Sequence, residues 1–545
     1  MASNGSPATT KRLIACCDGT WMNSDNGYEE PGLLGGEGTL QVPSNVTRIS
    51  RCFKKRCSDG KIQIINYESG VGTGSNMLDS ITGGAFGLGL VERMRETYSY
   101  LCANYMDGDE IILVGYSRGA FTVRSVASMV GDLGLLTREG VEHFYPIFKD
   151  MQHWMDDEYE DPFPNIPFSN KPKGKDAPAE YRARLEELGY TRVRHNYAQG
   201  DLIRIKAVCV WDTVGSLGIP RVAWLDKLGI RADNDEYVLP FPSWISFTIE
   251  HAFQALALDE TRPPFTPAVW ERRPENRLTT DLRQVWFPGN HANCGGGWED
   301  QGIANCTLAW MMDQLASVGV EFNLPSLERY FQQTANFYQT CHAETRNKKK
   351  EKKKTKDVQK KWAASPIYEN NHPFRPWGLG SINKASSLLY KLSGQTARTP
   401  GLYRPIDPKT KLDESRFLQD TNERIHSTVR IRLACKGLGL NDTSVWDCPA
   451  LRKGWKLKRT QEKYNDPVPF HPGWDPEGEE DGMGQPNSWS KGRWVWEYVG
   501  GESHAPTDKR QRIMVEEPLG PYERYLLKLS AGSPNVFHFS DTVES

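Results

Sequence analysis

The sequence predicts an α/β fold, with a mostly parallel sheet and helices on both of its faces. Apolar runs of strand length recur along the chain, and stretches with the apolar spacing of helices separate them. Most residues in these runs are apolar, as expected for strands that are buried on both faces of a parallel sheet. One run leads through a glycine-flanked turn directly into a helical stretch, which is a third indication of the same architecture.

The first elements follow in the order strand, helix, strand. Residues 12–17 (RLIACC) and 62–67 (IQIINY) are predicted strands, because both are short and apolar. Residues 88–105 have helical spacing, and a Gly-Asp-Glu sequence at 108–110 stops that helix. Residues 111–115 are then the next predicted strand.

The alternation continues towards the middle of the chain. Residues 203–211 and 285–287 are predicted strands, and residues 244–258 between them have helical spacing. A further helix is predicted at 324–340. Strands separated by helices in this way predict a mostly parallel sheet.

Two regions interrupt the pattern. Residues 141–197 are aromatic, charged and rich in Pro, and they are too long for an ordinary connection, so we expect a lid-type insertion over the site. Between Lys348 and Lys361 the chain has nine Lys and two acidic residues. A solvated linker or helix end is the simpler interpretation of this run, and contact with an anionic membrane surface is the alternative.

These boundaries predict a division of the chain. The expected parts are a disordered N-terminus at 1–11, an α/β domain at 12–340, a Lys-rich linker or helix end at 341–365, and an irregular lobe rich in Trp, Pro and Gly at 366–545 that packs on the α/β domain.

Composition excludes two classes of protein. With 67 basic and 69 acidic residues, the formal net charge is −2. The chain is therefore neither a globally basic nucleic-acid binder nor an acidic disordered protein, and no nucleic-acid partner is expected.

Location is indicated by apolar runs and cysteines. No stretch reaches the roughly 18 apolar residues of a spanning helix, and residues 1–12 lack the apolar core of a secretory signal. The eleven cysteines have no paired zinc-type spacing, and Cys16, Cys17 and Cys209 lie within apolar runs. We therefore expect buried thiols in a reducing, cytoplasmic environment.

The sharpest motif is GYSRGA at 115–120, between a predicted strand and a predicted helix. A GxSxG turn of this kind is tight, and it needs residues without bulky side chains on either side of the serine. It exposes the Ser117 hydroxyl at a helix N-terminus, where peptide N–H groups favour developing negative charge. Ser117 is the predicted nucleophile, and a helix N-cap serine is the alternative.

A serine nucleophile needs a base, and the base needs an orienting acid. Asp212 follows the predicted strand 203–211, and His291 follows the strand at 285–287. Both positions belong to the carboxyl edge of the sheet, where open α/β sheets hold ligands. The order Ser117, Asp212, His291 predicts a catalytic triad that requires neither a metal nor a cofactor.

Two rival residues stay open. Asp18 also ends a strand and is an alternative acid, and His426 is an alternative base. We prefer for Asp18 the role of bracing its turn, so that N–H groups of Gly19, Thr20 and Arg118 form an oxyanion hole. An Asx-type turn with no catalytic role is the alternative for Asp18.

Six motifs in order carry a family resemblance. They are CDGTW at 17–21, GVGT at 70–73, GDEI through GYSRGA at 108–120, VWDTVG at 210–215, ALALDETR at 255–262 and WFPGNH at 286–291. Over residues 12–315 the chain resembles the α/β-hydrolase family of fungal and bacterial proteins that includes the type VI secretion phospholipase effectors. The resemblance implies a serine esterase that uses Ser117, Asp212 and His291, and in the bacterial effectors a phospholipase A.

One position departs from the bacterial pattern. Asn293 stands two residues after His291, where an acidic residue is usual, and it cannot act as a carboxylate. The sequence therefore predicts a hydrolase of carboxylic esters, most directly lipid or phospholipid acyl esters. The alternative is a catalytically silent interaction protein that keeps the fold.

Overall fold

The computed structural model places the described residues in one α/β architecture. The structure describes residues 10–19, 28–29, 39–40, 42–70, 85–195, 200–214, 243–347, 375–383, 395–407, 413–460, 493–502, 505–506, 508–529 and 533–542. Its strands are β1 Lys11–Cys17, β2 Tyr28–Glu29, β3 Thr39–Leu40, β4 Ile62–Glu68, β5 Glu110–Tyr116, β6 Leu135–Leu136, β7 Thr191–Arg192, β8 Ile205–Trp211, β9 His251–Ala257, β10 Asp281–Phe287, β11 Glu423–His426, β12 Trp455–Thr460, β13 Arg493–Tyr498 and β14 Ile513–Glu517.

Ten of the described strands form one large sheet. Their order is β12-β13-β14-β11-β10-β9-β8-β5-β1-β4, and the pairs from β4 through to β14 are all parallel. Strands β13 and β12 extend the sheet by antiparallel pairing. The predicted α/β fold with a mostly parallel sheet is confirmed.

Helices cover both faces of the sheet. They are Asn45–Ser50, Ala85–Asn104, Arg118–Leu133, Arg138–Glu142, Phe144–Gln152, Ala177–Glu187, His291–Gly295, Gly302–Ser317, Leu324–Asn347, Ser427–Ala434, Pro449–Arg452, Pro521–Leu529 and Ser533–Thr542. Alternate strand residues enter different cores: Leu13 and Ala15 pack on one face, and Ile14 and Cys16 on the other. This two-sided burial explains why interior strands such as β1 and β5 are almost continuously apolar.

The predicted helix at 244–258 is wrong. Residues 251–257 (HAFQALA) form β9, which pairs in parallel with β8 and β10 in the interior of the sheet. His251 is therefore the first residue of a strand and not a helix residue. Ala and Leu have high helix propensity, but the two neighbouring strands and burial on both faces override it.

The insertion at 141–197 lies at the amino edge of the sheet. Strand β6, directly after the helix Arg118–Leu133, pairs with β7 at the end of the insertion. Arg182 donates a hydrogen bond to the carbonyl oxygen of Gly131 at 2.7 Å, near the end of the same helix. The expectation that the insertion covers the carboxyl edge is wrong. The helix Arg118–Leu133 begins at the carboxyl edge and ends at the amino edge, and the next parallel strand, β8, begins at the amino edge. The insertion between them therefore starts and ends at the amino edge.

Part of the region expected to be an irregular C-terminal lobe is built into the sheet. Strands β11 to β14 come from residues beyond 366, and β11 pairs directly with β10. Trp446, Trp455, Trp494 and Trp496 from this region pack into a third core with Trp286 of β10. The Trp residues of this region therefore pack the C-terminal strands onto the rest of the sheet.

Cys16, Cys17 and Cys209 are buried free thiols, as expected. Within the ranges that the structure describes, no helix combines the length and the apolar character needed to cross a membrane.

Candidate active site

Four of the predicted site residues lie at the carboxyl edge of the sheet. Asp18 directly follows β1, Ser117 follows β5, Asp212 follows β8, and His291 follows β10 after a short turn. Neighbouring parallel strands end at the same edge, so the topology itself brings together residues that are far apart in sequence.

Ser117 lies in a strained turn between β5 and the helix Arg118–Leu133. Its φ is 56° and its ψ is −118°, a conformation that residues with a side chain rarely adopt. The turn is closely packed: a Cβ on Gly115 would lie 2.6 Å from the Gly119 carbonyl oxygen, and a Cβ on Gly119 would lie 2.1 Å from the Cys17 carbonyl oxygen. Neither flanking position of the motif therefore has room for a side chain.

Asp212 and His291 form a short hydrogen bond. The Asp212 Oδ2 atom lies 2.6 Å from His291 Nδ1, and the Asp212 side chain is fully buried. Burial alone would raise the pKa of Asp212, but the charge of Arg398 and the bond to His291 outweigh it and lower the pKa to about 2. Asp212 is therefore an ionised acceptor that selects the His291 tautomer with a proton on Nδ1.

The other ring nitrogen of His291 is open. His291 Nε2 is buried and has no hydrogen-bond partner, so it does not bond to the Ser117 hydroxyl in this structure. The imidazole packs between the rings of Tyr116 and Phe265, each with its centroid 4.8 Å away. Burial lowers the pKa of His291 below its ordinary value, although Asp212 opposes that effect. A neutral imidazole with an open Nε2 is equipped to accept a proton.

The loop that carries His291 is held by two consecutive acids of the ALALDETR motif. Asp259 accepts the peptide N–H of Gly289 at 2.6 Å, where the chain turns with φ +99°. Glu260 accepts the peptide N–H of His291 at 3.3 Å and pairs with Arg262. The motif thus fixes the main chain on both sides of the turn into His291.

Asn293 has a structural role in the helix that starts at His291. Its side chain accepts the peptide N–H of Asn290 at 3.1 Å, and the Asn290 side chain accepts the peptide N–H of Asn293 at 3.0 Å. This reciprocal capping box satisfies two peptide groups at the helix start. The Asn293 amide N–H also donates to the carbonyl oxygen of Ser381, a hydrogen bond that an ionised carboxylate cannot donate.

Asp18 is engaged away from His291. Its carboxylate accepts hydrogen bonds from the Ser44, Thr47 and Tyr67 hydroxyls at 2.6, 2.7 and 2.8 Å. Burial raises the pKa of Asp18, and these bonds oppose the rise. The structure therefore brings Asp212, and not Asp18, to the histidine, while Asp18 braces the turn after β1.

His426 is also engaged by partners other than Ser117. Both of its ring nitrogens have partners, with Nδ1 2.8 Å from the Thr428 hydroxyl and Nε2 2.6 Å from Glu523 Oε1. It is fully buried, and burial lowers its pKa to about 3. His426 caps the helix Ser427–Ala434 and has no open nitrogen for a substrate proton.

The predicted oxyanion donors differ in placement. The Gly19 peptide N–H donates to the Asp18 carboxylate at 2.7 Å, so in this structure it is engaged by that side chain. Thr20 lies outside the described residues. Arg118 is the first residue of the helix after Ser117, where peptide N–H groups point out of the helix end towards the site.

Sequence reasoning missed Arg398. Its guanidinium donates to both carboxylate oxygens of Asp212, at 3.2 and 3.1 Å. No motif marks it, since it stands in a polar stretch (QTART) far from the other site residues. Among the described residues, no group of three or more His, Cys, Asp or Glu is arranged to hold a metal ion.

Comparison with known proteins gives a family match over more than half of the chain. A family model described as T6SS, phospholipase effector Tle1-like, catalytic domain, matches residues 11–314. A stretch of 50 residues is 38% identical to the uncharacterized protein YEL023C of Saccharomyces cerevisiae (strain ATCC 204508 / S288c), and it covers 8% of this chain and 7% of that protein. The crystal structure of an uncharacterized protein from Pseudomonas aeruginosa is similar over 58% of this chain and 47% of that chain, with 17% sequence identity and a TM-score of 0.31.

Proposed function

The chain belongs to the family of type VI secretion Tle1-like phospholipase effectors through its catalytic domain, and from that membership we propose a lipase-type serine hydrolase of acyl esters. Phospholipids are the proposed substrate class. The family match covers residues 11–314 and not the rest of the chain. The activity and the substrates of the whole chain are therefore proposed.

The contact between Asp212 and His291 is the observation that carries the proposal. An ionised buried carboxylate holds Nδ1 at 2.6 Å, and the opposite nitrogen Nε2 is left without a partner. Ser117 is presented at the same sheet edge by a strained turn at a helix N-terminus. These contacts support the assignment of the acid, base and nucleophile roles of a Ser-His-Asp triad to Asp212, His291 and Ser117.

The proposed reaction has two halves. Ser117 Oγ attacks the acyl carbon as its proton passes to His291 Nε2, and the proton then goes to the leaving alcohol. Water repeats the steps on the acyl-enzyme and releases the fatty acid. Throughout, Asp212 holds the imidazole tautomer, and the Arg118 peptide N–H stabilises the oxyanion.

Two further predictions concern contact with a membrane and the location of the protein. The lysine run between Lys348 and Lys361 lies outside the described residues, so its contact with anionic lipid stays a prediction. The cytoplasmic location expected from the sequence also stays a prediction.

A fluorophosphonate probe tests the nucleophile. The wild-type chain should be labelled and Ser117→Ala should not. Ser125→Ala is the matched control, because Ser125 lies in the same helix and its hydroxyl is buried against the Phe121 carbonyl oxygen. Incubation with phospholipid, triglyceride and short acyl esters, followed by product mass, then identifies the bond that is cleaved.

Two results would contradict the proposal. Labelling that persists in Ser117→Ala would assign the nucleophile to another residue. A folded wild type that neither takes the probe nor releases acid from any of these esters would favour the silent interaction protein.

A further inference from the structure

Arg398 reaches the candidate site from beyond the region that matches the family. The family match ends at residue 314, and Arg398 contacts Asp212 across 186 residues of sequence. Its Nη1 atom lies 3.2 Å from Asp212 Oδ1, and its Nη2 atom lies 3.1 Å from Oδ2. The pair is a buried, two-pronged ion pair, a geometry that only a planar guanidinium provides.

Main-chain contacts fix the segment that carries Arg398. The peptide N–H of Thr396 donates to the Thr261 carbonyl oxygen at 2.9 Å, and that of Gly401 donates to Glu423 Oε1 at 2.8 Å. Arg398 Nη2 also donates to the Phe265 carbonyl oxygen at 2.6 Å. The guanidinium is therefore held in place independently of Asp212.

Four hydrogen bonds saturate the Asp212 carboxylate. Oδ1 accepts from Arg398 and from the Ala257 peptide N–H at 3.1 Å, while Oδ2 accepts from Arg398 and His291. With all four acceptor positions used, the carboxylate plane cannot rotate without the loss of a charged bond. Oδ2 is in consequence kept facing His291 Nδ1.

We propose that Arg398 is a positioning residue for the Asp212–His291 pair, so that the C-terminal part of the chain completes the active site. The inference rests on the proposed serine mechanism for its catalytic meaning. Arg398 touches no reacting atom, and it acts through the orientation and the charge of Asp212.

The sign of its effect follows from charge. When His291 is neutral the pair carries one negative charge, and Arg398 stabilises that state over the protonated, neutral pair. Without Arg398 the pair should bind a proton at higher pH. The other polar or charged groups that face the pair stay in place: Glu260, Arg262, Tyr116, Cys294 and Tyr403.

NMR titration of the full chain labelled with ¹⁵N-histidine provides the test. His291 is assigned from its absence in His291→Gln. In Arg398→Gln the His291 midpoint should rise by about one pH unit, and in Arg398→Lys, which keeps the charge, it should stay near the wild-type value. Fluorophosphonate labelling at neutral pH should slow by about 10- to 100-fold in Arg398→Gln and less in Arg398→Lys.

Arg283→Gln is the matched control. Arg283 is also buried and contacts both oxygens of a carboxylate, at 3.2 and 3.1 Å from Asp281, but at the amino edge of the sheet. Its substitution should leave the His291 midpoint unchanged.

Three outcomes would overturn the inference. One is a His291 midpoint in folded Arg398→Gln equal to that of the wild type, and another is an equal shift in Arg283→Gln. Should Arg398→Gln fail to fold, the third is Arg398→Lys with the labelling rate of the wild type. A wild type that resists the probe yet shows the Arg398-dependent shift would instead remove the proposed function and leave the Arg398 coupling in place.

Discussion

The carbonyl oxygen of Cys17 lies where a methyl group on Gly119 would have to be. A Cβ built on Gly119 comes within 2.1 Å of that oxygen, far inside van der Waals contact. The helix after Ser117 therefore touches the end of β1 directly, and this contact sets the height of the nucleophile above the sheet.

Gly119→Ala should consequently displace the turn. We expect a loss of about 1–3 kcal/mol in the free energy of unfolding, together with loss of probe labelling at Ser117. Chemical denaturation and labelling measure the two effects. Gly454→Ala is the control, since its Cβ would meet only the Tyr498 ring, at 3.4 Å. Unchanged labelling in Gly119→Ala would show that the turn tolerates the shift.

The acid is tested by a pair of isosteric variants. Asp212→Asn should fold and lose roughly 10⁴-fold in turnover, because an amide no longer fixes the His291 tautomer. Asp18→Asn should keep turnover but lose about 1–3 kcal/mol of stability, because an amide nitrogen then faces hydroxyl and N–H donors. The reverse pattern of turnover would move the acid role to Asp18.

The pH profile should reflect the lowered pKa of His291. Burial lowers that pKa below the ordinary 6.5, and only the neutral imidazole accepts the serine proton. The midpoint of the fall in rate with decreasing pH should therefore lie below 6.5. Labelling rates or kcat/KM from about pH 4.5 to 8 measure the midpoint. A midpoint at or above 7 would contradict the prediction.

Several strand ends were predictable from sequence because the motifs stand directly after apolar runs. The strands before Asp18 and Asp212 end where the sequence predicts, and the strand before Ser117 ends one residue later than predicted, at Tyr116. Strand β9 was not predictable, because HAFQALA has the composition of a helix and only its two neighbours make it a strand.

Arg398 and the position of the insertion were missed for other physical reasons. A single Arg in a polar stretch has no periodicity or spacing that marks it, and its partner lies 186 residues away. The insertion was assigned to the wrong edge because the prediction used only its position between a helix and a strand. It did not take into account that the helix Arg118–Leu133 runs from the carboxyl edge to the amino edge.

The corrected position predicts the effect of core substitutions in the insertion. Trp154 is buried and packs against Tyr181 with ring centroids 5.7 Å apart. Trp154→Ala should lower the free energy of unfolding by about 3–5 kcal/mol and leave the preference for acyl chain length unchanged. Thermal melts and a chain-length series of esters check the two parts. A folded variant with altered chain-length preference would return the insertion to the site.

The contacts of Asp212 also bear on how the chain is made. Its partners His291 and Arg398 follow it by 79 and 186 residues. At a synthesis rate of roughly 5–20 residues per second, about 10–40 seconds separate the appearance of Asp212 from that of Arg398 on the ribosome. Until then the carboxylate lacks its cation, and burying it alone is costly. The carboxylate of the proposed triad therefore gains its full set of partners only after Arg398 has emerged, and a lipid-cleaving site would come into being only on a chain that has been synthesised past residue 398.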